Sequence, residues 1–418
     1  MTRRSLFHAL SRRKRLRDLN CDNNNEEEDG YRRITRDDDN DDDDDADADS
    51  VELLREDNQI VNNRNRFIKL PTLVFLSISN SIGTGVYVFT GLAANLYAGQ
   101  FICLSYLIAS VVCLFSAFCY AEFAARIRAS TGSSYTFAYY SLGELTAFLT
   151  GWMIFIGSLA SIAANAIAWS SYLDSLTGYA VRNFTINTMH ASWTASAPFN
   201  DHLDLLALAI VTLLFLVSLM GLKLTALFNN LIATLNIAVL LVITVAGLVY
   251  GKWQNLTDTP YSGGLNGVVK GSAIVMYAYF GFESSTFAID ETINPTRNVP
   301  LSLIVSLFTI TVLYCGSSLS LVMMQPFTAI DVSSSFPSAF GAIPWLHILV
   351  SIGPVLSLTG ALLISIYSLE RIVFAMSRDG LFFKFLARTS TLTNVPYFVT
   401  LVSFLITFAL ILLIDIRT

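Results

Sequence analysis

From Leu70 onward the chain is a succession of apolar runs of bilayer-crossing length, broken by short polar segments. Such runs leave few structural options. Hydrocarbon holds no water to satisfy backbone N–H and C=O groups, so a spanning segment must close its hydrogen bonds internally, as a helix does. Nine runs can be delimited, at 70–93, 98–124, 144–173, 203–221, 226–250, 268–290, 300–324, 343–376 and 396–415. Composition agrees, with 53 % hydrophobic residues, 14 % charged residues and a mean hydropathy of +0.55. The expectation is an all-α, polytopic membrane protein with residues 70–418 as its membrane domain.

Residues 1–69 form a separate compartment of sequence. The basic cluster "RRKRLR", Arg12 to Arg17, is followed by an acidic stretch from Asp37 to Asp49 that lacks the apolar residues needed to bury anything. A disordered, charged cytoplasmic tail is predicted. It reads equally as a regulatory segment whose basic cluster touches anionic lipid or as a solvated tail without a dedicated partner. The net charge of -6 reflects this tail more than the membrane part and does not point to nucleic acid. Five cysteines and four histidines are scattered, with no CxxC pair and no metal-ligand spacing. No metal, cofactor or disulfide framework is expected. Nor does any nucleophile, base and orienting group assemble in sequence, so no catalytic residue is assigned and an enzyme is not expected.

Two independent signals orient the spans. With the tail inside, Arg126, Arg128, Lys223, Arg297, Arg371, Arg378, Lys384 and Arg388 fall in inner segments, against Arg182, Lys252, Lys270 and Arg417 outside. Positive residues favour the inner side. Two N-glycosylation sequons, at Asn183 and Asn255, both fall on the outer side of the same arrangement. A cytoplasmic N-terminus and residence in the plasma membrane are the corresponding expectations.

Within the first run, "NSIGTGVYV" places Gly83 and Gly85 around Thr84 at mid-span. A helix break there would free amides at the start of a second half-helix, and those amides, with the positive end of its dipole, suit a carboxylate. The glycines could equally provide a smooth surface for close helix packing. The sixth run weighs in favour of a break. Its "YAYFGFESS" again puts a glycine, Gly281, at mid-span, beside Glu283 and among Tyr277, Tyr279, Phe280 and Phe282. Two interrupted spans separated by five occupy corresponding positions of a five-plus-five inverted repeat, where a midplane site is expected.

The stretches "SIGTGVYVFTG", "SAFCYAEFAARIRASTGSSYTFAYYSLGELTAFLTGW", "YAYFGFESSTFAIDETINPTRNVP" and "RIVFAMSRDGLFFKFLAR" together cover much of the membrane part. On these the chain resembles the amino acid-polyamine-organocation superfamily with the LeuT-type fold, and most nearly its cationic amino acid transporter branch. The resemblance implies a 5+5 inverted repeat, here with only nine spans present, and sodium-independent movement of amino acids such as arginine, lysine or ornithine by alternating access. With both spans broken, an amino acid would place its carboxylate on amides near Thr84 and Gly85 and its ammonium on carbonyls freed around Tyr279 to Gly281; Ile82, Gly83, Tyr277, Phe280, Phe282 and Glu283 complete the expected substrate-binding set, with Glu283 binding a substrate cation, pairing elsewhere or carrying a proton. Cationic members commonly carry aspartate where Glu283 stands, so that match is to the wider superfamily.

Further residues carry weaker signals. Glu122 matches an acid the family uses for transport, although Arg126 lies one helical turn on and could pair with it. In the branch a lysine occupies the position of Asn230, in "TALFNNLIATLNIAV", where relatives hold sodium; an amide carries neither that charge nor a proton. Ser158 and Ser365 are small polar candidates facing the cavity, or serines bonded to their own helices. Asp290 and Glu291 read as solvated charges at the inner end of span six. Heteromeric light chains of the superfamily use an outer cysteine between spans three and four; Asp174 to His202 contains none, so no disulfide-linked heavy chain is expected. The stop after span nine, where the repeat calls for a tenth, keeps a second reading open, that of a non-transporting fragment or a substrate-sensing or modulatory relative.

Overall fold

The structure, a computed structural model, describes residues 66–83, 85–127, 132–177, 180–187, 203–257, 261, 263–330, 335–341, 343–389 and 395–413. The tail predicted over 1–69 therefore lies almost wholly outside the described residues, as do Thr84 and Arg128. Among the described residues the chain is helical, with no β-strand and a single parallel bridge between Ile68 and Thr292.

The first apolar run is divided. Helix α1, Leu70–Ser81, carries proline in its first turn, where a missing N–H costs nothing, and stops at Ile82 in extended backbone. Helical backbone resumes as a π-turn over Gly85–Phe89, continues through α2, Thr90–Ala93, and passes another π-turn, Ala94–Ala98, into a 3-10 turn at Gly99–Phe101. Then come α3 (Ile102–Arg126), α4 (Ser134–Ser141), α5 (Glu144–Leu176), α6 (Ala180–Asn187), α7 (Leu205–Leu219), α8 (Leu222–Tyr250) and α9 (Gln254–Thr257). The sixth run divides as well. Helix α10, Gly264–Val275, gives way to 3-10 turns at Met276–Tyr279 and Phe282–Ala288, with Gly281 between them at φ +107°. The chain closes with α11 (Pro295–Met324), α12 (Ser335–Ala339), α13 (Pro344–Arg378) and α14 (Tyr397–Leu413).

Among the described residues, five helical stretches are long and apolar enough to cross a membrane, and α1, α7 and α14 are shorter apolar helices. At about 1.5 Å per residue the 35 residues of α13 reach about 52 Å, beyond the ~30 Å hydrocarbon layer, so its polar end stands clear of it. The polar start of α7 is satisfied locally, with the Asp204 carboxylate accepting from the Ala207 amide at 3.1 Å and from the Ser170 hydroxyl of α5.

Packing separates the helices into two groups. Helices α1, α3, α10 and α11 pack on one another, with a core running from Ile78 and Val86 through Tyr106 and Tyr279 to Leu307 and Tyr314. Helices α5, α7, α13 and α14 share another, containing Ile162, Leu214, Leu362 and Val399. Helix α8 touches α1 and α11 on one side and α13 on the other, and α1 also packs directly on α13, so the groups meet through both. A third cluster, including Ile68, Tyr135, Ile289 and Tyr367, gathers near the start of α1 and the polar end of α13.

Candidate functional site

The two helix breaks meet. A Cβ added at Gly85 would lie 2.5 Å from the Ala278 Cα, and one at Gly281 would lie 2.8 Å from the backbone carbon of Asn80. Each break therefore holds its glycine against the backbone of the other, a contact that any side chain would prise apart. Gly281 is also at a positive φ that L-residues rarely adopt. Gly83 differs, since a Cβ there would meet only the Ala361 Cβ of α13, at an ordinary 3.7 Å. Gly85 and Gly281 are thus packing glycines, and Gly83 faces α13 with room for a methyl group.

Breaking a helix frees carbonyls as well as amides, and in an apolar interior each needs a partner. Tyr314, one of a layer of three buried tyrosines, supplies one to each break. The Tyr314 hydroxyl of α11 lies 2.8 Å from the Ser81 carbonyl at the end of α1 and 2.9 Å from the Ala278 carbonyl in the sixth run, sharing its proton between the two breaks. Tyr279 donates to the Tyr106 carbonyl of α3 at 3.0 Å, and the Tyr106 hydroxyl meets Thr90 Oγ1 of α2 at 2.6 Å. Ring centroids of Tyr106, Tyr279 and Tyr314 lie 5.3–6.2 Å apart. Tyr106 and Tyr314 carried no signal in sequence, because each is an aromatic in an apolar run until the fold brings it to a break.

A second polar layer links the breaks to α13. Asn80 donates through Nδ2 to Ser284 Oγ at 2.7 Å and accepts through Oδ1 from Ser365 Oγ at 3.4 Å. The Ser285 amide donates to Ser77 Oγ at 3.3 Å. Ser365 therefore reaches across to α1. Ser158 is half-buried on α5, next to Gly157, around which an added Cβ would meet nothing within 4 Å.

The remaining candidates spread more widely. Ile82, Gly83, Gly85, Tyr279, Gly281 and Phe282 are buried, whereas Tyr277 and Phe280 are 49 % and 59 % exposed, with Tyr277 set edge-on to Phe89. The half-buried Glu283 accepts from the Gly281 amide at 3.1 Å, capping the break in its own run. Glu122 pairs with Arg126 at 2.7 Å on the surface of α3, with side chains 63 % and 74 % exposed. Asn230 of α8 donates to Thr72 of α1 at 3.3 Å; its buried Oδ1 has no protein partner among the described residues. Asn183 is exposed on α6, while Asn255 is half-buried and donates to the Met323 carbonyl at 2.8 Å.

Glu291 is not the solvated charge expected. It forms an ion pair with Arg371 of α13, both side chains being only 14 % exposed. Arg371 also stacks over Tyr367, 5.2 Å from the ring centroid, and Tyr367 donates to the Phe287 carbonyl at 3.3 Å. Directly beside this pair, the segment before α1 is laced to the segment after the second break: Phe67 and Ile68 donate to the Glu291 carbonyl, and Ile293 donates to Ile68. One end of each broken span is thereby tied to the other and to α13.

Apolar helices long enough to cross a bilayer, packed around two abutting helix breaks, make this a multi-pass membrane protein. The sequence model of the amino acid permease family matches residues 68–416, and the chain belongs to that family, within the amino acid-polyamine-organocation superfamily. Human (Homo sapiens) cationic amino acid transporter 4 is 35 % identical over 371 residues, covering 87 % of this chain and 58 % of the relative. The methylthioribose transporter of Bacillus subtilis is 35 % identical over 329 residues, covering 78 % of this chain and 70 % of the relative. The branched-chain amino acid permease of the same organism is 33 % identical over 338 residues, with the same coverage. The chain thus spans 58 % of the length of the human relative. These relatives are transporters rather than enzymes.

Proposed function

We propose that the chain carries amino acids across the membrane without sodium, by alternating access around the two breaks, and that its substrates include cationic amino acids. The observation that carries this reading is the meeting of two interrupted helices at Gly85–Ala278 and Gly281–Asn80, with Gly83 in ordinary contact with Ala361 of α13. In it, the substrate carboxylate rests on amides at the start of the second half-helix, near Thr84 and Gly85, and its ammonium on carbonyls around Tyr279 to Gly281. The group of α1, α3, α10 and α11 rocks against the group of α5, α7, α13 and α14. The tail faces the cytoplasm, Asn183 and Asn255 face outward, and the plasma membrane is the destination. The similarity to a human cationic amino acid transporter supports a cationic substrate.

A neutral substrate is the second reading, favoured by Glu283 spending its carboxylate on the Gly281 amide and by the branched-chain permease among the relatives. Uptake of radiolabelled arginine and leucine by the chain in liposomes, with and without an imposed potential, separates the two. Saturable arginine flux driven by an inside-negative potential supports the first. Leucine flux indifferent to potential supports the second. Binding of either without flux would instead indicate a sensing or modulatory protein.

A further inference from the structure

Two half-buried cysteines that the site does not use face each other across the α3–α11 interface. Cys103 lies in the first turn of α3, and Cys315 lies in α11 beside Tyr314. The Cys315 thiol donates to the Cys103 carbonyl oxygen at 3.8 Å, which brings the Cys315 sulfur against the backbone of the other cysteine. The other described cysteines are placed differently, Cys113 buried farther along α3 and Cys119 exposed. We propose that Cys103 and Cys315 form a redox-sensitive dithiol, oxidised by hydrogen peroxide to a disulfide that staples α3 to α11.

The chemistry balances in two steps. One thiol attacks a peroxide oxygen, breaking the O–O bond and giving a sulfenic acid and water; the other thiol then attacks the sulfenic sulfur, forming the S–S bond and releasing a second water. Two thiols lose two electrons and two protons, and peroxide is reduced to water. The oxidant is small, uncharged and membrane-permeant, so it reaches half-buried thiols within a membrane span. Because α3 and α11 already pack along their lengths, the bond joins helices that are in place rather than drawing distant ones together.

The position of the pair gives the staple a consequence. Cys315 adjoins Tyr314, whose hydroxyl serves both breaks, and Cys103 is one helical turn from Tyr106, which receives Tyr279 and meets Thr90. Linking the thiols ties together the two helices from which the tyrosine layer holds the breaks. The oxidised protein is therefore stiffer at the breaks than the reduced one.

The test is non-reducing peptide mapping of the purified full chain in lipid nanodiscs, before and after hydrogen peroxide, with hydrogen exchange read on the same samples. A peptide pair joined through Cys103 and Cys315, absent after dithiothreitol and absent from both Cys103→Ser and Cys315→Ala, is the expected result. Slower exchange around residues 82–85 and 278–281, reversed by dithiothreitol, accompanies it. Oxidation of either cysteine to sulfinic acid with no linked peptide in the unmutated chain would overturn the dithiol. Unchanged exchange in fully linked protein would overturn its coupling to the breaks. Neither readout depends on which substrate the protein carries, or on whether it carries one.

Discussion

Gly83, Gly85 and Gly281 look alike in sequence, and their surroundings assign them different work. Gly281→Ala must strain its backbone at a positive φ, at a cost of about 1–3 kcal/mol, and push against the Asn80 backbone. Its unfolding temperature in detergent should fall measurably, and Gly85→Ala should behave similarly because the Ala278 backbone blocks it. Gly83→Ala has only Ala361 at contact distance, so it should unfold near the parent temperature while weakening arginine binding measured by scintillation proximity. A Gly83→Ala protein that binds normally would remove Gly83 from the site. Tyr314→Phe keeps the ring and loses the hydroxyl shared by the Ser81 and Ala278 carbonyls, leaving buried acceptors short of a donor. It should destabilise by about 1–3 kcal/mol in a denaturation series, with faster exchange at both breaks. The glycines were legible because Gly interrupts an apolar run visibly; Tyr314 was not, because its role depends on where residues far along the chain place their carbonyls.

Among the elements, the tie between the start of α1, the end of the sixth run and α13 is the part most open to a double-mutant test. Removing one partner of the Glu291–Arg371 pair leaves a largely buried charge without its counterpart, which costs about 3–5 kcal/mol. Glu291→Gln and Arg371→Gln should each lower the unfolding temperature more than the double mutant does, since the double mutant leaves neither charge. Exchange at Phe67, Ile68 and Ile293 should rise in both single mutants, because their bonds to Glu291 and Ile68 close the same tie. A double mutant that loses the sum of the two single losses would mean that the pair contributes nothing beyond its separate side chains. Sequence reading placed Glu291 in solvent because charges at the end of a run normally snorkel there. It had no means of knowing that α13, some eighty residues on, would set a guanidinium beside it.

For the whole molecule, the two-group packing gives the proposed cycle something to rock, and charge gives it a test. A substrate carrying one net positive charge gains about 2.3 kcal/mol per 100 mV, which corresponds to about 50-fold accumulation at equilibrium at 100 mV, inside negative. Arginine trapped by liposomes should approach that ratio and collapse when the potential is dissipated, whereas leucine accumulation should not respond. Removing sodium should leave both unaffected. Glu122 and Arg126 lie together on the surface of α3, so Glu122→Gln should change stability by less than 1 kcal/mol, and any larger loss of flux would mark a role in transport.

By itself the sequence determined that the chain lives in a membrane and that its spans are helical, and it favoured a break in the first and the sixth. Each of these follows from local facts, namely hydrophobic run length, the need to satisfy every backbone group within hydrocarbon, and glycines at mid-run. Tertiary structure alone decided that the two breaks touch, that Gly85 and Gly281 are held against backbone while Gly83 meets only the Ala361 side chain, and which hydroxyl serves the freed carbonyls. It also decided that Glu291 finds Arg371 and that Cys103 finds Cys315. The physical reason is range. Composition and periodicity report on neighbours along the chain, whereas Tyr314 and Ser81 are 233 residues apart and meet only because their helices pack.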